Sequence, residues 1–148
     1  MTLRKNILLM IFMVGLSLSF LSNNVWGENL KEYSRDKDGT VCYYDLDSVK
    51  KSSGQVKVWV TIMYGDNDTD RDEIISVMKK YNQCQGCERL SYSKSLYEIR
   101  CREDMSRTNT FIHYDTDGRA LYTNETQAKW RDIVPGTIID KLKKRVCK

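Results

Sequence analysis

Residues 55–64 alternate without a break. Val56, Val58, Val60, Ile62 and Tyr64 fall on one face, and Gln55, Lys57, Trp59, Thr61 and Met63 on the other. Successive side chains of a strand point to opposite faces, so this period of two predicts a half-buried β-strand. One such strand cannot stand alone, and further strand-like segments surround it. Segments 29–34, 40–44, 91–101, 108–114 and 119–123 are predicted strands, several rich in β-branched and aromatic residues. Tyr97, Ile99 and Cys101 share a face. Asp36-Lys37-Asp38-Gly39, Ser52-Ser53-Gly54 and Asp115-Thr116-Asp117-Gly118 read as turns, because Asp and Gly tolerate the backbone angles that turns need. Short turns between strands favour antiparallel pairing.

Two segments switch to helical spacing. In 70–81, Ile74, Val77, Met78 and Tyr81 recur at i, i+3, i+4 and i+7. Asp70 with Glu73 resembles a capping box, and Lys79 and Lys80 suit the negative end of the helix dipole. A terminal helix is expected to begin near Pro135, with Ile138, Ile139, Leu142 and Val146 as its apolar stripe. Lys141, Lys143, Lys144 and Arg145 supply its wet side. The fold class is therefore α+β: an antiparallel sheet of about six strands, a C-terminal helix packed on one face and a second short helix.

The N-terminal segment sets the compartment. Arg4 and Lys5 precede an apolar run over 7–20, and Gly27 provides a small residue after it. That is the layout of a secretory signal peptide, expected to span 1–27 and leave 28–148 as one domain. The run is shorter than the ~20 residues a membrane span needs, so no stable anchor is expected after cleavage. Export to the periplasm, the outer cell surface or the medium follows, where disulfides persist. Two of the 24 basic side chains lie in the leader, so 22 basic residues face 20 acidic ones in the remainder. That balance lacks the basic excess of a nucleic-acid binder.

All five cysteines follow the leader: Cys42, Cys84, Cys87, Cys101 and Cys147. Five choices of odd thiol and three pairings of the rest leave 15 two-bridge arrangements, and spacing alone does not choose among them. Cys84-Gln85-Gly86-Cys87 is a CxxC in a loop after a helix, and it reads first as a local disulfide. A redox pair would sit at a helix start. A zinc site would need a second ligand pair, and a haem attachment would need His where Glu88 stands. Asp66, Asp68, Asp70 and Asp72 imitate the opening of a calcium loop, but Arg71 and Val77 occupy the places of its Gly and Glu. His113, the only histidine, has no marked nucleophile and reads as structural. No catalytic residue, metal ligand or cofactor is expected. Trp59, Tyr64 and Tyr92 are candidates for an exposed aromatic surface, since aromatics are enriched at interfaces.

Four segments resemble the surface-adhesin protein E family. They are Asp38-Gly39-Thr40-Val41-Cys42-Tyr43-Tyr44-Asp45, Val56-Lys57-Val58-Trp59-Val60, Ser95-Leu96-Tyr97-Glu98-Ile99-Arg100-Cys101, and 130–147 from Trp130-Arg131-Asp132-Ile133-Val134-Pro135-Gly136 through Val146-Cys147. The resemblance implies a sheet of about six strands, a terminal helix on its concave face and a disulfide tying that helix to the sheet. Cys101 and Cys147 stand at the matching positions. Cys84 and Cys87 then form the local pair, and Cys42 is the free thiol, open to a disulfide-linked homodimer if it faces solvent. The family includes a lipoprotein adhesin for host matrix proteins, whereas this leader carries no lipid-acceptor Cys. The expected function is a non-enzymatic, exported binding module of the bacterial envelope with a protein or cell-surface ligand. The alternative is a periplasmic thiol–disulfide or metal-handling protein using Cys84 and Cys87.

Overall fold

The computed structural model describes residues 29–125 and 127–148. The expected leader lies outside them. Eight strands and two helices follow in order: β1 (Leu30–Arg35), β2 (Val41–Asp45), β3 (Lys50–Ser52), β4 (Gln55–Met63), α1 (Thr69–Lys80), β5 (Leu90–Arg100), β6 (Met105–Asp115), β7 (Ala120–Asn124), β8 (Arg131–Asp132) and α2 (Ile138–Val146). Single 3-10 turns, Leu46–Ser48 and Cys87–Arg89, precede β3 and β5. The sheet is antiparallel throughout, with strand order β1-β2-β4-β5-β6-β7. β3 pairs with β4, and β8 with β6. The six predicted strands are the six of the main path. The two short strands are wholly exposed and carry no apolar alternation to reveal them.

Glycine is needed at two places. β3 reaches β4 through Ser53 and Gly54, at φ 50° and 77°. Positive φ at both central residues is the hairpin turn that matches strand twist. At Gly65, a Cβ would stand 1.9 Å from the Asp38 carbonyl oxygen, so the chain passes there only without a side chain.

The main core lies between the sheet and α2. Val56, Val58 and Val60 of β4, Ile99 of β5 and Tyr44 of β2 meet Leu142 and Val146 of the helix. Leu142 is fully buried. Burying a side chain of this size contributes about 1.5–3 kcal/mol. α2 starts later than Pro135 suggests. Thr137 is its cap, accepting from the Asp140 amide at 3.3 Å, while the Asp140 carboxylate accepts from the Gly136 amide at 2.9 Å. Ile138, expected in the apolar stripe, is instead 40% exposed, at the edge of a cleft.

α1 forms a smaller core, with Met78 against Leu90 and Cys87, and Tyr64, Ile74 and Ile75 around them. The capping box expected at Asp70 and Glu73 is displaced. Asp68 is the cap, its carboxylate accepting from the Arg71 amide at 2.9 Å. Val77 and Tyr81, expected on the buried stripe, are 44% and 62% exposed. That end of the stripe borders an open groove on the sheet and stays largely in water.

Candidate functional site

Two recesses flank α1 on the helix-bearing face of the sheet. The first is a cleft of about 440 Å³ between the starts of α1 and α2. Asp36 and Asp38 from the β1–β2 turn border it with Asp68, Asp70 and Lys141, and Cys42 lies at its base. Asp68 is already occupied by structure. Besides capping α1 it accepts from the Thr40 hydroxyl, whose oxygen accepts in turn from the Gly65 amide at 2.9 Å. The four alternate aspartates are thus a helix start, with Asp68 buried and Asp66, Asp70 and Asp72 in water. Among the described residues, no three His, Cys, Asp or Glu side chains are placed to hold a metal ion.

The second recess is a groove of about 540 Å³ between α1 and strands β6 and β7. Ile74, Val77 and Tyr81 form the helical wall; Phe111, His113 and Tyr122 form the sheet wall. The alternation of β6 puts Phe111 and His113 on one face, their rings 5.2 Å apart. Pairing of β6 with β7 sets Tyr122 opposite His113, with ring centroids 6.1 Å apart. Burial pushes the imidazole down to about 4, so the ring is neutral at pH 7. Its Nδ1 lies 2.6 Å from the Ser93 hydroxyl, which also meets the Tyr64 hydroxyl at 2.8 Å. This Ser–His contact was not legible in the sequence, because the partners are 20 residues apart and meet only through the β5–β6 register. It is not a nucleophilic pair open to substrate: Ser93 is 3% exposed and does not line the groove.

The five cysteines fall into two bridges and one thiol. Cys101 at the end of β5 is joined to Cys147 at the end of α2, with Cα atoms 5.7 Å apart. Cys84 is joined to Cys87, with the same Cα separation. Cys42 is free, 4% exposed and packed in the main core. Burial pushes its thiol pKa up. An intermolecular bridge through Cys42 needs an exposed sulfur, and this one lies beneath α2; the small apolar role is the one the geometry carries. Redox or metal chemistry at Cys84 and Cys87 meets a similar obstacle. Cys87 is 1% exposed, locked against Met78 and Leu90, and only Cys84 is within reach of a reductant.

The family model for surface-adhesin protein E matches residues 29–148. The chain belongs to the surface-adhesin protein E family. No individual curated protein matches it. For this family member the matched span contains both helices, both bridges and every recess described above.

The opposite face of its sheet is built around charge and aromatic rings. Glu98 is 3% exposed and accepts from Lys57 at 2.6 Å and from Arg107 at 2.5 Å. Burial raises its pKa, but hydrogen bonds from Lys57, Arg107 and Asn109 outweigh burial and hold it below the usual carboxylate range. Arg107 and Arg100 also lie 4.4 and 4.2 Å from the centre of the Trp130 ring, pinning the strap that leads to β8. The aromatic surface expected from Trp59, Tyr64 and Tyr92 does not assemble. Tyr64 sits on the helix-bearing face against α1. Trp59 and Tyr92 occur at alternation positions of the other face, where Tyr92 stacks on Tyr114 at 4.7 Å.

Proposed function

We propose that this protein is an exported, non-enzymatic binding module of the bacterial envelope. Its α1–β6–β7 groove receives an apolar side chain from an extended segment of a partner protein. The observation that carries the reading is the exposure of Val77 and Tyr81 above the aromatic wall of Phe111, His113 and Tyr122. Large apolar side chains left in water at the rim of a recess are what protein interfaces use for anchoring. β7 ends the strand path among the described strands, so its outer backbone edge runs beside the groove. An added strand can hydrogen-bond to such an edge and place alternate side chains in an adjoining recess. Membership of a surface-adhesin family supports a surface role.

The test is saturable binding of the purified protein to a panel of envelope and extracellular-matrix proteins, measured on an optical biosensor. Tyr81→Ala is expected to weaken binding about tenfold or more, as removal of an interface aromatic does. Absence of any saturable partner at micromolar concentration overturns the reading, as does a partner that binds Tyr81→Ala unchanged.

A further inference from the structure

Charge is segregated along α2. Its start borders the acidic cleft, whereas its later turns border a trough of about 580 Å³ between the helix and β1. Arg35 on the β1 side and Lys141, Lys144, Arg145 and Lys148 on the helix side form the banks, and the floor is Tyr33 and Ser34. The net charge of the whole chain is only +4, so five cations on one trough are a local concentration. Two have carboxylate partners: Arg35 with Glu32 at 2.7 Å and Lys144 with Asp140 at 2.8 Å. Lys141 donates to the Ser34 hydroxyl at 3.1 Å, which tethers the cation without neutralising it. Among the described residues no carboxylate pairs with Lys141, Arg145 or Lys148. Basic residues at a helix end compensate its dipole, but Arg35 stands on a strand and closes the opposite bank.

We propose that this trough binds a linear anionic polysaccharide carrying sulfate or carboxylate groups along its length. The cations at 141 and 144–145 lie along α2 over ~6 Å at 1.5 Å rise per residue, and Lys148 continues the row just past the helix end. A row of charges matches a chain with repeated anionic groups better than a single small anion. Each contact releases condensed counterions, so the row gains affinity from its length. Other polyanions fit less well. Tyr33 is 6% exposed, so no open aromatic face is offered for stacking bases. The exposed lining is all lysine and arginine, with no apolar pocket to anchor an acidic peptide. A flat anionic membrane would touch the banks and miss the floor. The trough adjoins β1, at the opposite end of the strand path from the β7 groove, so the two readings stand or fall separately.

The protein, purified as the cell produces it, is titrated with size-fractionated heparin between about 50 and 300 mM salt, the range over which counterion release is read. Saturable binding is expected, with log K falling linearly against log salt. The Lys144→Glu, Arg145→Glu double variant should bind about tenfold or more weakly at ~150 mM salt and show a shallower slope by about two. Arg145→Glu alone, which breaks no ion pair among the described residues, should lose part of that affinity. Lys79→Glu, Lys80→Glu on α1 should bind as the parent does, and circular dichroism melting confirms that every variant is folded. No saturable binding, equal loss in the α1 control, or tighter binding of poly-L-glutamate or phosphatidylglycerol vesicles at equal charge concentration overturns the proposal.

Discussion

α1 and α2 cover the same face of one sheet, and each has an apolar stripe at helical spacing. Yet α2 buries Leu142 and Val146 in the main core, while α1 fully buries Met78 alone and leaves Val77 and Tyr81 in water. The difference lies beneath the helices. Under α2 run the central strands β4 and β5, whose Val56, Val58, Val60 and Ile99 are all buried. α1 instead reaches over Phe111, His113 and Tyr122 near the β7 edge, across an open groove. The bridges differ as well. Cys101–Cys147 spans 46 residues and ties α2 to the sheet, whereas Cys84–Cys87 spans three and ties only a loop to itself. One helix is held as part of the fold, and the other is left with a surface to offer.

The comparison is broken most directly at the long bridge. Closing a loop of this length constrains the unfolded chain by ~4 kcal/mol at the upper end. Cys101→Ser and Cys147→Ser are each expected to lower the melting temperature markedly and by similar amounts. The double variant should be little worse than either; additive losses in calorimetry would mean that the two sulfurs act apart. Next is Leu142→Ala, expected to cost about 3 kcal/mol in urea unfolding, within the 2–5 typical of a buried leucine. Loss of the Cys84–Cys87 bridge should cost less, about 2 kcal/mol, because the closed loop is so short. A Cys84→Ser, Cys87→Ser variant as destabilised as Cys101→Ser would put the two regions on an equal footing.

His113 sharpens the comparison through pH. Its folded pKa is pushed down to about 4 from an ordinary 6.5 by burial beside α1. The unfolded chain therefore binds a proton there before the folded one does. Stability from this group is complete above about 6.5 and is lost as pH falls from there toward 4. Below that window the carboxylates take over. Asp115 and Asp140 have lowered pKa values: Asp115 chiefly through the Arg119 amide, Asp140 chiefly through Lys144. His113→Gln should flatten the pH 6.5–4 part of a melting-temperature profile; an unchanged slope there would assign it to another group. The smallest stability effect belongs to Val77→Ala, expected within about 0.5 kcal/mol of the parent because its side chain is largely in water. A loss near that of Leu142→Ala would show that the end of α1 is packed as tightly as α2.

Much of the architecture was legible because its signals are local. The alternation of 55–64 marks β4, and the turns at 36–39 and 115–118 mark two hairpins. Asp115 shows why the turn signal works: its carboxylate accepts from the amides of Asp117 at 2.8 Å and Arg119 at 2.9 Å, all within one turn. The recesses were less legible. Phe111 and His113 could be placed on one face, but Tyr122 joins them only by β6–β7 register, and Ser93 meets His113 only by β5–β6 register.

By itself the sequence determined the six strands of the main path, the two helices, the antiparallel α+β class and the resemblance to a surface-adhesin family, since each rests on periodicity or on short contiguous motifs. The tertiary structure alone decided which apolar stripe is buried to its end, that Cys42 lies under α2, and that Arg35 faces the lysines of a helix more than 100 residues away. Those outcomes depend on what lies opposite each side chain in space. Helical spacing states that a face is apolar; only the packing of the sheet beneath it decides whether that face is covered.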